Sequence, residues 1–313
     1  MNIEIDPPLW PAHRTLWSHL VSTSSLAELH SFAFEQGIPA RAFDGDHYDV
    51  PAQQHEGLVA AGALAVPAHQ LVRDLRASGL RLTAGVRLRR LDGLRARWAA
   101  LALPTNEGEA WELIGEDLLA RWRERGRLHH GLTHLVEVLE AIDRLAEAEQ
   151  LDAVQRRRAN LGAWFHDAVH SSGLPTSTRQ AAASADSSTQ PSDEAASAVL
   201  ARALLAGDRD ADAVVDLVLM TATHRSRPGD VAAAVLSDAD LSVLGATPER
   251  YADYAAAVRA EYAHIPDAVF RPGRAMILEA LVSGDLFATP SGRLWWDARA
   301  RSNLNNEIAA LRG

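Results

Sequence analysis

Four residues of ligand type, spread over the C-terminal two thirds of the chain, could together hold a divalent metal ion. They are His134, the adjacent pair His166 and Asp167, and Asp240. Each lies in a segment whose apolar residues recur at helical spacing, which places the polar side chain on or beside a buried face. Burying an imidazole or a carboxylate costs free energy unless something compensates for it, and a divalent cation is a common compensator. The pattern therefore predicts a metal centre and favours a metal-dependent hydrolase.

Three predicted helices must position these side chains. His134 lies in the first turn of an amphipathic helix, because apolar residues recur at helical spacing after it. The pair His166 and Asp167 closes a strongly apolar stretch at a helix end, and Asp240 shares its side of a third helix with apolar neighbours three and four positions away. A shared metal ion would require the four side chains to converge from remote parts of the chain.

Four stretches of sequence carry a resemblance to a known family. They are residues 127–134 (RLHHGLTH), 163–168 (AWFHDA), 237–245 (SDADLSVLG) and 300–307 (ARSNLNNE). Their order resembles that of the HD superfamily of metal-dependent phosphohydrolases, in particular a bacterial subgroup of predicted metal-dependent HD phosphohydrolases. The resemblance runs from about Leu94 to the C-terminus. It implies an all-helical core that gathers the two histidines and two aspartates around one metal ion.

The candidate catalytic residues are His130 and Asp167. A metal held by imidazoles and carboxylates keeps positions open for water and a phosphate oxygen, and it lowers the pKa of that water. An acid must then protonate the leaving group. His130, four residues before His134, is our candidate if the helix extends that far back, and a hydrogen-bond partner of the ligands is an equally good interpretation. The spacing of these two histidines is also similar to that in cyclic-nucleotide phosphodiesterases, although the subgroup usually has Tyr-His-Asn where this chain has His-His-Gly.

Four further residues are candidates for substrate binding: His224, Arg225, Arg227 and Glu194. His224 ends a predicted helix and could be a second-metal ligand, a phosphate contact or a cap favoured by the helix dipole. The two arginines suit bidentate phosphate recognition, but arginines after a helix are more often solvated. Glu194 is an ordinary acidic first-turn residue, and the resemblance alone brings it near the site.

Composition limits the class of protein. The chain has 313 residues, 47% of them hydrophobic, which allows one large or two modest domains. It has no cysteine, so thiolate ligands are excluded, and Mn, Fe, Co, Ni, Zn and Mg all remain open as the single divalent ion. A net charge of −10 argues against broad nucleic-acid binding. We expect the partner to be a small phosphorylated molecule, with a nucleotide as first choice; oligomeric state stays open.

No run reaches the roughly 20 apolar residues of a membrane span, and the first residues lack a basic start followed by an apolar stretch. We therefore expect a cytoplasmic protein without a membrane segment.

The predicted fold is mainly α. We expect an all-helical HD-type domain over residues 98–313, preceded by a small α/β domain over 1–80 and an Arg-rich connector over 81–97. Predicted strands at 3–5, 40–43 and 64–66 alternate with helices at 26–36 and 53–61, which is typical of a three-layer unit with a short parallel sheet. Residues 171–192, rich in Ser, Ala and Thr, predict a mobile loop beside the pocket.

The N-terminal part resembles a small bacterial domain of unknown function over residues 2–78. Residues 6–11 (DPPLWP), 17–20 (WSHL) and 43–51 (FDGDHYDVP) carry the resemblance. The polar cluster in the last stretch follows a predicted strand end, where open α/β sheets bind ligands. The candidates for a second polar site are Asp6, His13, His19, Asp44, Asp46, His47, Tyr48 and Asp49. A solvated, Asp- and Gly-rich turn is the interpretation that the pattern favours.

Three functions follow from these observations. The first is a phosphohydrolase acting on a nucleotide or a similar phosphoester. The second is a nucleotide-binding regulatory module whose metal site does not hydrolyse its ligand. The third is a di-iron oxygenase, which would use additional histidines between the His-Asp pair and Asp240, and the chain offers His170 and His224 there.

Overall fold

Helical periodicity dominates the sequence after residue 80, and the computed structural model is mainly helical. Helix makes up 63% of it and strand 7%, with a small N-terminal mixed sheet. The structure describes residues 2–105, 108–171 and 192–313. The loop predicted at 171–192 therefore lies, apart from its two end residues, outside the described residues. The expectation of a mainly α protein with a small sheet-containing N-terminal part is confirmed.

The chain forms two compact units. The N-terminal unit comprises Met1–Leu91, Arg125–His129 and Ala252–His264, and the helical unit comprises Asp92–Glu124, His130–Tyr251 and Ile265–Gly313. Most of the Arg-rich segment 81–97 is part of helix α4 (Ala84–Ala99), and the division between the units falls inside this helix.

A mixed sheet forms the centre of the N-terminal unit. Its strands are β1 (Ile3–Ile5), β2 (Trp10–Ala12), β3 (Thr15–Ser22), β4 (Tyr48–Pro51) and β5 (Leu64–Ala65). β3 pairs antiparallel with β1, β2 and β4, and among the described strands the parallel pair is β1 with β5. The prediction of a parallel sheet was therefore wrong.

The hairpin of β2 and β3 explains much of this error. Its two-residue turn consists of His13 and Arg14, which both have positive φ, 49° and 64°. Turns of this kind match the twist of the strands, and they are usually formed by Asn-Gly or Asp-Gly. A His-Arg pair gives no such signal.

Two predicted strands match and one does not. Residues 3–5 form β1, and residues 64–66 cover β5. The prediction for 40–43 was wrong: Ala40–Ala42 is a 3₁₀ helix. Strand β4, which pairs with β3, was not predicted. It contains Asp and Pro, and both residue types are depleted in strands.

Helices cover both faces of this sheet. The helices predicted at 26–36 and 53–61 are α1 (Leu26–Glu35) and α2 (Ala52–Ala60), and α3 (Ala68–Ala77) follows. Leu20 of β3 belongs to an apolar cluster with residues of α1 and α2, whereas the next residue, Val21, belongs to one with residues of α3. Since successive residues of a strand point to opposite faces, the sheet lies between two helical layers.

The helical unit contains the elements that carry the metal-ligand candidates. Its further helices, counting α11, which extends into the N-terminal unit, are α5 (Glu109–Trp122), α6 (Leu132–Ala148), α7 (Ala153–Phe165), α8 (Asp193–Leu204), α9 (Ala211–Thr221), α10 (Val231–Asp240), α11 (Pro248–Glu261), α12 (Asp267–Ser283), α13 (Pro290–Gly292) and α14 (Ala298–Arg312). A 3₁₀ helix, Leu241–Gly245, follows α10, and a π-helical segment, Arg293–Asp297, precedes α14.

Helices α6, α7 and α10 pack against one another in pairs. A glycine, Gly162, sets the distance between α7 and α10. A Cβ atom at this position would lie 2.7 Å from Cδ2 of Leu236 in α10 and 3.4 Å from Cβ of Leu217 in α9. The first of these contacts is closer than packed atoms tolerate, whereas the second is at the lower limit of ordinary van der Waals contact. Four residues after Gly162 comes His166, and four residues after Leu236 comes Asp240, so this close approach lies one helical turn before the predicted ligands.

Buried polar contacts fix α7 and α10 in place. The guanidinium of Arg157, near the start of α7, donates to the carboxylates of Asp208 (2.6 and 2.9 Å) and Asp210 (2.5 Å), and all three side chains are buried. In α10, the carboxylate of Asp238 accepts hydrogen bonds from the backbone of Ala288 and from the backbone and hydroxyl of Thr289. Such fully bonded buried groups restrain the backbone.

Asn303 of α14 supports the segment after α10. Its amide donates to the carbonyl oxygens of Leu244 (2.8 Å) and Ala246 (3.1 Å). The fourth stretch of the family resemblance, residues 300–307, is thus next to the third in space.

Within the described residues, no helix taken singly is both long and apolar enough to cross a membrane, although the consecutive segments Val231–Gly245 and Pro248–Glu261 pass a length and composition test together.

We predict that Gly162→Ala destabilises the protein. The added methyl group must displace Leu236, and overpacking of this kind costs about 1–3 kcal/mol. Urea unfolding followed by circular dichroism would show a lower midpoint. Gly93→Ala in α4 is the matched control, because its Cβ would meet no atom within 4 Å. It should raise stability by about 0.4–1 kcal/mol. Equal midpoints for the two variants would contradict the close approach of α7 and α10.

Candidate metal centre

The structure brings the four predicted ligands together inside the helical unit. Nε2 of His134 lies 3.2 Å from Nε2 of His166 and 3.1 Å from Oδ1 of Asp240. Nε2 of His166 lies 3.2 Å from Oδ2 of Asp167 and 3.6 Å from Oδ1 of Asp240. Oδ2 of Asp167 is 3.8 Å from Nε2 of His134. The predicted convergence of remote helices is therefore present in the structure.

These separations fit a shared cation. An ion bound about 2.1 Å from each donor spaces neighbouring donors about 3.0 Å apart in an octahedron and about 3.4 Å apart in a tetrahedron. The distances among His134, His166 and Asp240 fall close to this range, and these three form the tightest group. Asp167 lies close to His166 but farther from His134, since its Oδ2 is 3.2 Å from Nε2 of His166 and 3.8 Å from Nε2 of His134.

A backbone contact prepares His166 for this role. Its Nδ1 lies 2.8 Å from the carbonyl oxygen of Ala163, an acceptor, so Nδ1 carries a proton and Nε2 is the ring nitrogen available to a metal. Bonding one ring nitrogen to a backbone carbonyl in this way is how metal-bound histidines are usually oriented. The contact exists because His166 is the C-cap of α7 and Ala163 lies in the last turn.

The two carboxylates of the site also favour a positive charge between them. Burial opposes charge on His166, but the carboxylates of Asp167 and Asp240 raise its pKa well above the usual value. Burial likewise opposes ionisation of the two aspartates, yet the adjacent imidazoles hold the pKa of Asp167 and of Asp240 well below the usual range. A positive charge in this position, whether proton or metal, offsets two buried carboxylates.

The site is closed on the side of the imidazoles and more open on the side of the carboxylates. His134 and His166 are almost fully buried, whereas the side chains of Asp167 and Asp240 keep 18% and 15% of their exposure. The indole of Trp122 lies against both histidines, with ring centroids 6.3 and 5.4 Å away, and its Nε1 donates to the carbonyl of Trp164. The carboxylates are therefore the part of the site nearest to solvent.

His130 lies beside the site but outside the helix. Helix α6 begins at Leu132, so the condition that the helix extend back to His130 is not met. Its ring centroid is nevertheless 6.1 Å from that of His134 and 4.1 Å from that of His170. Nδ1 of His170 lies 3.5 Å from Oδ2 of Asp193. These three residues form a row beside the ligands. His170 was considered from sequence only for a di-iron centre, and its contact with Asp193 was not predicted.

His224 occupies a strained position next to the ligands. It follows the end of α9, its N–H bonds to the carbonyl of Met220, and its φ is 52°. Its Nε2 lies 3.8 Å from Oδ2 of Asp240, and its Nδ1 lies 3.3 Å from the hydroxyl of Ser237. A glycine is the usual residue in this left-handed position after a helix, and a side chain there costs free energy. The structure thus places His224 at the end of its helix with the ring facing the site, and the roles of second-metal ligand, phosphate contact and dipole-favoured cap stay predictions.

The other substrate-binding candidates lie at the surface. Arg225 is exposed, and Arg227, 85% exposed, makes a long ion pair of 3.9 Å with the exposed Asp216. Glu194 is half-buried in the first turn of α8, and the acidic residue that contacts the histidine row is its neighbour Asp193.

The polar residues proposed for a second site separate into two groups. Asp6, Asp46 and His47 lie together with His19 and Asp49 in the N-terminal unit. Asp44 is outside this cluster, since its carboxylate is 60% exposed and pairs with Arg87. His13 belongs to the turn of the β2–β3 hairpin, and Tyr48 bonds to His30 in the core.

Comparisons with known proteins identify part of the N-terminal unit. Residues 3–78 match the model of a family described as a protein of unknown function (DUF4031). This is the stretch that resembles a small domain of unknown function. Searches of curated proteins and of solved structures give no significant match.

Proposed function

We propose that the helical unit is a metal-dependent phosphohydrolase that cleaves a phosphoester of a nucleotide or a similar small molecule. The observation that carries this proposal is the convergence of His134, His166 and Asp240, with Asp167 beside them, where the imidazoles are buried and the carboxylates keep part of their exposure. The four-residue set and its order along the chain also match the HD pattern in the sequence.

A divalent ion held by these residues would supply a hydroxide near neutral pH and polarise a phosphate oxygen. The chain itself orients the ligands through the Ala163 carbonyl and the Asp238 contacts, and it keeps the imidazoles dry. Neutral His and ionised Asp ligands in an oxygen- and nitrogen-only set suit Mn, Fe, Co, Ni, Zn and Mg.

His130 is the residue best placed to deliver a proton to the leaving group. Its ring lies beside that of His134 and packs against that of His170, which faces Asp193. A histidine is a usual group for such a transfer, because an imidazole can both donate and accept a proton.

Small phosphorylated substrates fit this site better than polymers. The net charge of −10 opposes long-range attraction of nucleic acid, whereas His224 faces Asp240 at short range and can contact a phosphate oxygen. The exposed arginines Arg225 and Arg227 lie on the segment that follows His224 and can add to this contact.

We predict that Asp167→Asn abolishes both tight metal binding and phosphoesterase activity. The amide keeps the shape of the side chain but removes a negative ligand, so the loss of activity should exceed the 10–100-fold that is typical of removing a group that only supports a ligand. Elemental analysis and a phosphoester panel with the metal restored would measure both effects.

Asp212→Asn, at a 90% exposed position in α9, is the matched control and should behave as the unmodified protein. Full phosphoesterase activity of Asp167→Asn would refute the proposal. Tight nucleotide binding by the unmodified protein without product after long incubation would instead identify a regulatory module.

We also predict that His224→Gly separates the two roles of this residue. Glycine relieves a left-handed backbone that costs an ordinary residue about 1–2 kcal/mol, so thermal stability should not fall despite the lost contact with Ser237. The value of kcat/KM should fall by about 10–100-fold, as for other groups that act beside a metal ligand.

Gln150→Gly is the control, because Gln150 also follows a helix with positive φ, 54°, and none of the four ligand candidates contacts it in the described structure. It should gain stability and keep its activity. If both variants keep full activity, His224 only ends its helix.

A further inference from the structure

The antiparallel pairing of β3 with β4 places three side chains of ligand type on one face of the sheet. His19 of β3 is paired directly with Asp49 of β4. His47, directly before β4, is two residues from Asp49 and therefore points to the same side. The rings of His19 and His47 lie 4.9 Å apart, nearly perpendicular to each other.

Each of these histidines is oriented by its own buried aspartate. Nδ1 of His19 lies 3.0 Å from Oδ2 of Asp6, and Nδ1 of His47 lies 2.6 Å from Oδ1 of Asp46. The two aspartates are 1% and 0% exposed. This carboxylate–histidine arrangement fixes the proton on Nδ1 and leaves Nε2 to act outward, and it is the common support of metal-bound histidines.

Further donors hold the two supporting carboxylates. Asp6 also accepts from the backbone N–H of His19 (2.5 Å) and from the indole of Trp10 (3.1 Å). Asp46 accepts from the backbone N–H of Leu82 (2.6 Å) and from Arg81. The orientation of both imidazoles is therefore determined by buried, fully bonded groups rather than by surface contacts.

Both free ring nitrogens face the same carboxylate. Nε2 of His47 is 3.5 Å and Nε2 of His19 is 3.9 Å from Oδ1 of Asp49, and one ligand atom of each residue lies within 4.8 Å of the others. Donors around an ion are about 3.0–3.4 Å apart. The two distances to Oδ1 of Asp49 exceed the lower end of this range by less than about 1 Å. His19 and Asp49, which keep 28% and 38% of their side-chain exposure, have room to move.

We propose that His19, His47 and Asp49 bind a divalent metal ion in the N-terminal unit, with Asp6 and Asp46 as the groups that orient the two imidazoles. This site is independent of the phosphohydrolase proposal, because all five residues belong to the N-terminal unit. Two imidazoles and one carboxylate on one face leave the remaining coordination positions open.

A cavity adjoins the open side of this group. It has a volume of about 590 Å³, and His19 and Asp49 line it together with Trp10, Trp17, Arg41 and Arg125. The two arginines offer positive charge to a small anion, and the indoles offer flat apolar surface. The ion would thus face a space that can hold a small anionic ligand.

Without a metal, the same group holds a proton. Burial opposes charge on His47, but its hydrogen bonds to Asp46 and Asp49 and the charges of these carboxylates raise its pKa to about 9. A self-contained ion-pair network is therefore the competing explanation for this cluster. Under this explanation, the three residues would not contribute to the affinity of the protein for a metal ion.

Cobalt(II) binding to the full chain distinguishes the two explanations. The titration uses protein that carries Asp167→Asn and Asp240→Asn, so that the centre of the helical unit does not contribute. We expect one ion per chain, with visible absorption bands that indicate nitrogen and oxygen ligands. Adding Asp49→Asn or His19→Ala should weaken this binding by at least about 100-fold, and Asp6→Asn by about 10–100-fold.

Asp44→Asn is the matched control, since it removes a carboxylate of the same loop that pairs with Arg87 instead. It should leave cobalt binding unchanged. Absence of cobalt binding in the starting protein, or equal binding by the Asp49→Asn and Asp44→Asn variants with native circular dichroism, would overturn the proposal. Neither result bears on the phosphohydrolase, which is tested in chains with an intact centre.

Discussion

The close approach of α7 and α10 at Gly162 is the constraint on which the candidate centre of the helical unit depends. Only a residue without a Cβ lets Leu236 approach this closely, and His166 and Asp240 follow one turn later on the two helices. His134 completes the group from α6, which packs against both. Because protein interiors are close-packed, a shift of even a few tenths of an ångström at the crossing would be felt at the ligands.

Charge compensation explains why these polar side chains are tolerated in an apolar interior. Two carboxylates and two imidazoles lie among helices whose buried residues are mostly aliphatic or aromatic. Buried carboxylates without a counter-charge would be protonated or would destabilise the fold. In the cluster of the N-terminal unit, hydrogen bonds provide this compensation: the supporting carboxylates of Asp6 and Asp46 accept from several N–H donors. The third carboxylate, that of Asp49, lines the cavity.

Backbone strain and chemistry coincide at His224. A left-handed residue after a helix is ordinarily glycine, and the chain uses glycine at many of its positive-φ positions. A histidine there, with its ring nitrogen 3.8 Å from Asp240, is a departure from local preference. Sequences that break a local rule tend to do so where function requires it, which is why this position is more informative than the exposed Arg225 and Arg227.

The sequence by itself determined the mainly helical character of the protein. It also determined those helices from α5 onward in which apolar residues recur at helical spacing, and the polar residues that are candidate ligands. Helical periodicity is a local property, so α6 could be recognised from the recurrence after His134, and the end of α7 from the apolar run before His166. The signal at Asp240 was local too. The expectation that the four side chains meet came from the family pattern, and the geometry has them within reach of one ion.

Only the tertiary structure decided the sheet and the partners of the histidines. β3 pairs with β4 some thirty positions later, and neither this register nor the His13–Arg14 turn has a strong local signal, so a parallel sheet was predicted where a mixed one forms. The same pairing puts His19 beside Asp49, and packing at the start of α8 sets Asp193 opposite His170. Contacts between distant residues depend on register and packing, which a single sequence specifies only through the complete fold.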